Sequence, residues 1–200
     1  ALDGALKFEN NLLSVFPTLE LPGDVDFNTG NIRFEGDVKV GRDVLPDFVV
    51  DASGRIFIWG SAIACTLKAT DDIEVRGGIV GKNKGTVEAG DDVVATFMEN
   101  ATLTARHDVI IKNGLIGSRV TCEGFLKVEA PRSRIVGSTI QASRGISARN
   151  IGSRFDTSTV IVTGIDPDKQ EEVRKVKQFL EEKIKEANDI EKRQGRAALE

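Results

Sequence analysis

A five-residue phrase, glycine or aspartate followed by alternating apolar and polar residues, recurs along most of this chain. It opens as GDVKV at Gly36 and returns as GRIFI at Gly54, DDIEV at Asp71, GTVEA at Gly85, DDVVA at Asp91 and HDVII at His107. Weaker copies follow as GFLKV at Gly124 and GISAR at Gly145. A short alternating strand that turns after every copy cannot bury its apolar face alone, whereas stacked copies bury one another's. The pattern predicts an all-β solenoid, a single-stranded parallel β-helix.

The first apolar residues of the major phrases are Val38, Ile56, Ile73, Val93, Val109, Phe125 and Ile146, at intervals of 18, 17, 20, 16, 16 and 21 residues. Second strands start within some of these intervals, as at Val87 after Ile73. Each coil is therefore expected to hold two or three strands, rich in Val, Ile, Phe and Thr, with Gly, Asn and Asp at the corners. The competing reading is an antiparallel sandwich. It is disfavoured because hairpin dipeptides are scarce, Asn113-Gly114 being the main one.

Three segments follow. Residues 1–22 do not fit the repeat and read as an N-terminal cap or the remnant of a preceding domain; the opening at Ala1, with Asp3 close behind, suits an internal segment. Residues 23–163 read as the β-helix. Residues 164–200 change period: Asp166 suits a helix N-cap and Pro167 the first helical position. Val173, Val176, Leu180, Ile184, Ala187 and Ile190 then form one apolar stripe at helical spacing. That predicts an amphipathic, coiled-coil-type arm of about 26 residues, or ~39 Å, offering a surface for self-association or for a protein partner. Glu171→Lys175 and Glu181→Lys185 would support it at i,i+4.

Composition excludes several functions. The 27 Lys and Arg against 31 Asp and Glu give a net charge of −4, which argues against broad phosphate-backbone binding and so against a nucleic-acid protein. No apolar run is long enough to span a membrane. Cys65, sharing parity with Ile63 and Leu67, and Cys122, sharing parity with Val120, are expected to point inward. Three coils at ~4.8 Å put them roughly 14 Å apart, beyond disulfide reach, so both are expected reduced.

No catalytic set stands out. GxSxG, HExxH and CxxC are absent. GKNKG at Gly81–Gly85 lacks the rest of a phosphate loop and reads as a turn. His107, the sole histidine, reads as a corner residue rather than a general base. Asp71-Asp72 and Asp91-Asp92 invite comparison with a calcium ladder, but acidic residues also favour turns. Ile116-Gly117, Val136-Gly137 and Ile151-Gly152 have the opening of the acyltransferase hexapeptide, yet lie 20 and 15 residues apart rather than six. With one Trp and no Tyr, a sugar-stacking platform is thin. No catalytic residue, cofactor or metal is therefore assigned. The candidate interaction residues are Arg132, Arg134, Arg144, Arg149 and Arg154, read as one basic edge on an acidic protein, together with Val173, Val176, Leu180, Ile184 and Ala187 on the arm.

The stretches GDVDFNTGNIRFEGDVKVGRDV (Gly23–Val44), FMENATLTARHDV (Phe97–Val109), GLIGSRV (Gly114–Val120) and NIGS (Asn150–Ser153) resemble the flagellar assembly protein A family. The resemblance covers about residues 20–200. It implies a right-handed parallel β-helix followed by helices that pair as a coiled coil. It also implies a bacterial cytoplasmic protein tied to polar flagellation or cell-pole organisation, acting as a non-enzymatic scaffold through protein–protein contacts. Bactofilins resemble the solenoid half more distantly, so a self-polymerising cytoskeletal element is the alternative. A β-helix enzyme acting on carbohydrate or acyl groups is a third, weaker reading.

Overall fold

The computed structural model describes residues 4–9, 12–154, 158–164, 175–176 and 179–180, with side chains from residue 18 onward. The chain divides into two units, 1–164 and 165–200. The first is a three-faced parallel β-solenoid. Face 1 carries the strands Asp37–Val40, Ile56–Ile58 and Phe125–Val128, and the first halves of the long strands Ile73–Val80, Val93–Glu99 and Val109–Ile116. Face 2 carries Ala62–Ile63, the second halves of those long strands, and Arg134–Val136. Face 3 is an eight-stranded sheet running from Ile32–Phe34 to Val160–Thr163.

Face 1 defines the coil. Its register runs Leu19, Val38, Ile56, Ile73, Val93, Val109, Leu126, Ile146, with rises of 19, 18, 17, 20, 16, 17 and 20 residues. Every pairing between coils is parallel, which excludes the antiparallel sandwich. One position in the series expected from the sequence changes. Leu126, fully buried, stands over Val109, while Phe125 is 40% exposed one position earlier. Among the described residues the one antiparallel pair joins β1 (Gly4–Glu9) to β2 (Leu12–Leu21). The end of β2, Thr18–Leu21, then pairs parallel with Asp37–Val40, so the hairpin runs into the first rung.

The core is one column of aliphatic side chains. Val87, Leu103, Val120 and Ile140 stack on face 3, and Ile79, Met98, Leu115 and Ile135 on face 2, each at most 2% exposed. Each such side chain contributes roughly 1.5–3 kcal/mol on burial. In the last rung, Ile151 and Ile161 continue the inward columns but are 52% and 38% exposed.

Corners are held by ladders that the repeat encodes. Before face 1, each aspartate Oδ1 accepts the backbone N–H of the equivalent residue one coil on. Asp37 accepts from Arg55 at 2.8 Å, Asp72 from Asp92 at 3.1 Å, Asp92 from Asp108 at 2.8 Å and Asp108 from Phe125 at 2.8 Å. This explains the GDV, DDI, DDV and HDV phrases: the carboxylates satisfy backbone donors that the turn would otherwise strand. Before face 2, Asp43 N–H donates to Asp24 at 2.9 Å and Ser61 N–H to Asp43 at 2.7 Å. Between faces 2 and 3 the motif is Ile/Val-Gly-Ser. Gly117 and Gly137 hold φ of 57° and 60°, a region costly for residues with a Cβ. The buried Ser118 and Ser138 that follow donate to Ile116 O and Val136 O, and their hydroxyls accept the N–H of Ala101 and Ser118. The spaced Ile-Gly and Val-Gly pairs are thus corner devices.

The expected coiled-coil-type arm is corrected. Among the described residues the element order contains strands alone, and there is no coiled coil. Of residues 165–200 only Lys175, Val176, Phe179 and Leu180 are described, with helical backbone. Val176 and Leu180 are 57% and 52% exposed. Val173, Ile184, Ala187 and Ile190 lie outside the described residues.

Candidate functional site

Each face presents one outward column, and the three differ in chemistry. On face 3 it reads Arg33, Asp51, Lys68, Glu88, Thr104, Thr121, Gln141, Val162. Opposite charges alternate between adjacent rungs, with Lys68 Nζ 3.0 Å from Glu88 and Arg33 Nε 3.9 Å from Asp51. Such neighbours at rung spacing favour the register. On face 1 the column reads Glu20, Lys39, Phe57, Glu74, Val94, Ile110, Lys127, Ser147. Phe57 meets Trp59 edge to face at 5.0 Å, and the Arg76 guanidinium lies 4.1 Å over the Trp59 ring. The lone tryptophan is therefore capped by a cation on one face.

Face 2 is the apolar one. Ile63, Val80, Glu99, Ile116 and Val136 stand in register, with Ile116 47% exposed. Beside this column runs a flat flank of Ser61, Gly78, Phe97, Gly114 and Arg134, the Phe97 ring lying over Gly78. Contiguous exposed apolar patches are a common mark of docking faces. Sequence parity missed this one by placing Ile63 inward with Cys65 and Leu67. The structure buries Cys65 and Leu67 but turns Ile63 out, because Ala64 between them adopts φ of 45° and resets the alternation. The signal lay in the face 2 strand, only two residues long here.

The five arginines are all exposed. They do not share one edge. Arg134 lies on face 2, Arg144 precedes face 1, Arg149 follows it, and Arg132 and Arg154 occupy turns. They ring the last two rungs, and none makes an ion pair among the described residues. They belong to a larger asymmetry. Residues 18–105 hold 15 Asp and Glu against 8 Lys and Arg, net −7; residues 106–154 hold 3 against 9, net +6. Since chain order is coil order, the solenoid is acidic at one end and basic at the other.

The other candidate chemistry is accounted for structurally. His107 Nδ1 sits 2.8 Å from Asp91 on an exposed corner. The stacked aspartates spend an oxygen on backbone donors, and no group of three or more His, Cys, Asp or Glu able to hold a metal occurs among the described residues. Gly81–Gly85 closes a turn in which Lys84 and Gly85 N–H groups donate to Gly81 O. Both cysteines are free and buried. Burial pushes the Cys65 thiol up to about 12 and the Cys122 thiol up to about 11. Thiolate is the reactive form, so both should resist a maleimide reagent in the folded protein and react promptly in denaturant. Labelling of either thiol in the native state, read by intact mass, would contradict this core.

The geometry defines a class: a parallel β-solenoid whose distinguishing features are a largely apolar outward column on face 2 and a charge gradient. No assembled catalytic group is seen among its described residues. The chain belongs to the Flagellar Assembly Protein A beta solenoid domain family, whose model matches residues 17–199. No curated protein and no solved structure matches it. Fold and family are consistent with a structural, protein-binding role in flagellar assembly. No helix among the described residues is long and apolar enough to cross a membrane.

Proposed function

We propose that this protein is a non-enzymatic scaffold of the flagellar assembly apparatus, acting in the cytoplasm near the cell pole and holding protein partners on face 2 of the solenoid. The observation that carries the reading is the Ile63–Val80–Glu99–Ile116–Val136 column, four of whose five outward residues are apolar, on a sheet whose third face is charged or polar outward for most of its length. A stacked solenoid resists bending because every coil bonds to two neighbours. It therefore presents a docking face of fixed geometry at little ordering cost.

The test replaces the chain in its native cells by Ile116→Asp. The expected result is loss or misplacement of flagella with the protein at normal abundance. Normal flagella, in number and position, at equal abundance would contradict the assignment of face 2.

A further inference from the structure

We infer that face 2 is the contact surface between two copies of this chain, paired side by side and antiparallel. The inference rests on the reading of face 2 as a docking surface and names its occupant.

The pairing rests on self-complementarity. A face-to-face pair related by a two-fold axis lying in the interface, across the solenoid, brings each column against itself in reverse. With the axis between the rungs of Val80 and Glu99, Ile63 of one copy meets Ile116 of the other, and Leu45 meets Val136. In the flank column, Asp43 meets Arg134. At the axis Val80 meets Glu99, with Lys82 and Lys84 on the adjoining turn; the apolar pairs flank this centre, and Asp43 meets Arg134 towards the ends.

The charge gradient selects this orientation. With that axis residues 18–70, net −3, lie over the basic stretch of net +6 of the other copy, twice over, while residues 71–105, net −4, lie about the axis itself. A parallel pair would set like charge on like charge along the full length, which is unfavourable and steers against it. The basic end is also available, since Arg132, Arg134, Arg149 and Arg154 have no ion-pair partner among the described residues. On the flank, Ser61, Gly78 and Gly114 carry no bulky side chain, and the Phe97 ring between them lies down over Gly78.

The test uses the full chain. Sedimentation velocity over a concentration series should show a dimer that weakens as salt rises. Ile116→Asp and Arg134→Glu should each weaken pairing about tenfold or more, with unchanged far-UV circular dichroism showing that the fold persists. Orientation is read from spin labels on Ser147→Cys, the native thiols being buried. Seven rungs at ~4.8 Å separate the labels by roughly 34 Å or more in an antiparallel pair. A monomer at every concentration overturns the inference. A dimer indifferent to both substitutions, or labels much closer than that span, does so as well. A monomer whose Ile116→Asp form still disrupts flagellation would leave the scaffold reading standing with a different protein on face 2.

Discussion

Leu103→Ala is expected to destabilise the solenoid by about 2–5 kcal/mol, the range for an alanine cavity in a core that cannot collapse. Leu103 is fully buried, stacked between Val87 one coil before and Val120 one coil after. A globular core can close over a missing side chain from several directions. Here the rung spacing is fixed by backbone hydrogen bonds on all three faces, so the vacated space stays open. The loss also touches two interfaces, and in a linear array each interface carries its neighbours' cooperativity. Thr104→Ala, one residue away and outward, should change stability by no more than about 0.5 kcal/mol. Urea unfolding followed by far-UV circular dichroism measures both. Similar midpoints for the two variants would contradict the inward–outward assignment of this strand.

Asp108 is the second large effect, because one side chain serves three structural demands. Its Oδ1 accepts the Phe125 N–H at 2.8 Å, its Oδ2 takes Lys127 Nζ at 2.8 Å, and it closes the corner under Gly124. Asp108→Ala strands the Phe125 donor and should cost about 1–3 kcal/mol. Asp108→Asn retains an oxygen acceptor for that donor but loses the ion pair, so it should cost less.

The two variants also separate by pH. The hydrogen bond from Lys127, then that from the Phe125 amide, hold the Asp108 carboxyl below its ordinary value of 3.8. The folded state thus prefers the ionised form more strongly than the unfolded chain does. The contribution is whole above that ordinary value and is lost as pH falls through the lower native one. Wild type should lose stability over this acid window by more than Asp108→Asn, which has no proton to bind there. Equal acid sensitivity of the two would show that the ladder carboxylate contributes nothing through its charge.

The legible part of this fold was the part written as repetition. The phrases beginning at Gly36, Gly54, Asp71, Asp91 and His107 each place a first-face strand, and Val38, Ile56, Ile73, Val93 and Val109 stand in one register column. Their opening aspartates carried more information than turn preference. A carboxylate one residue before an inward Val or Ile is positioned to reach the next coil's amide, and only stacking reveals that. Phe125 misled because aromatic bulk mimics a core residue, although Leu126 beside it sits where alternation requires.

Face 2 was illegible for a backbone reason. Its strands are as short as two residues and lie next to corners where Ala64, Asn100, Gly117 and Gly137 adopt positive φ. Each such residue resets the alternation, so parity read across it gives the wrong sign, as at Ile63. The arginines show a different limit. Clustering in sequence placed them in the same rungs, but a coil distributes neighbours around three sides, and the intended edge became a basic end. The apolar stripe from Val173 corresponds to no coiled coil among the described residues: periodicity marks one side of a segment and says nothing of what faces it.

The claim beneath all of this is that successive coils lie parallel and in register. Backbone NOE spectroscopy of labelled protein tests it at Ile73, Val93 and Val109. The structure predicts N–H to Hα contacts running from each coil to the next along this series, with no short Hα–Hα contacts between them. Close Hα–Hα pairs, the mark of antiparallel strands, or no contact between Ile73 and Val93, would contradict it.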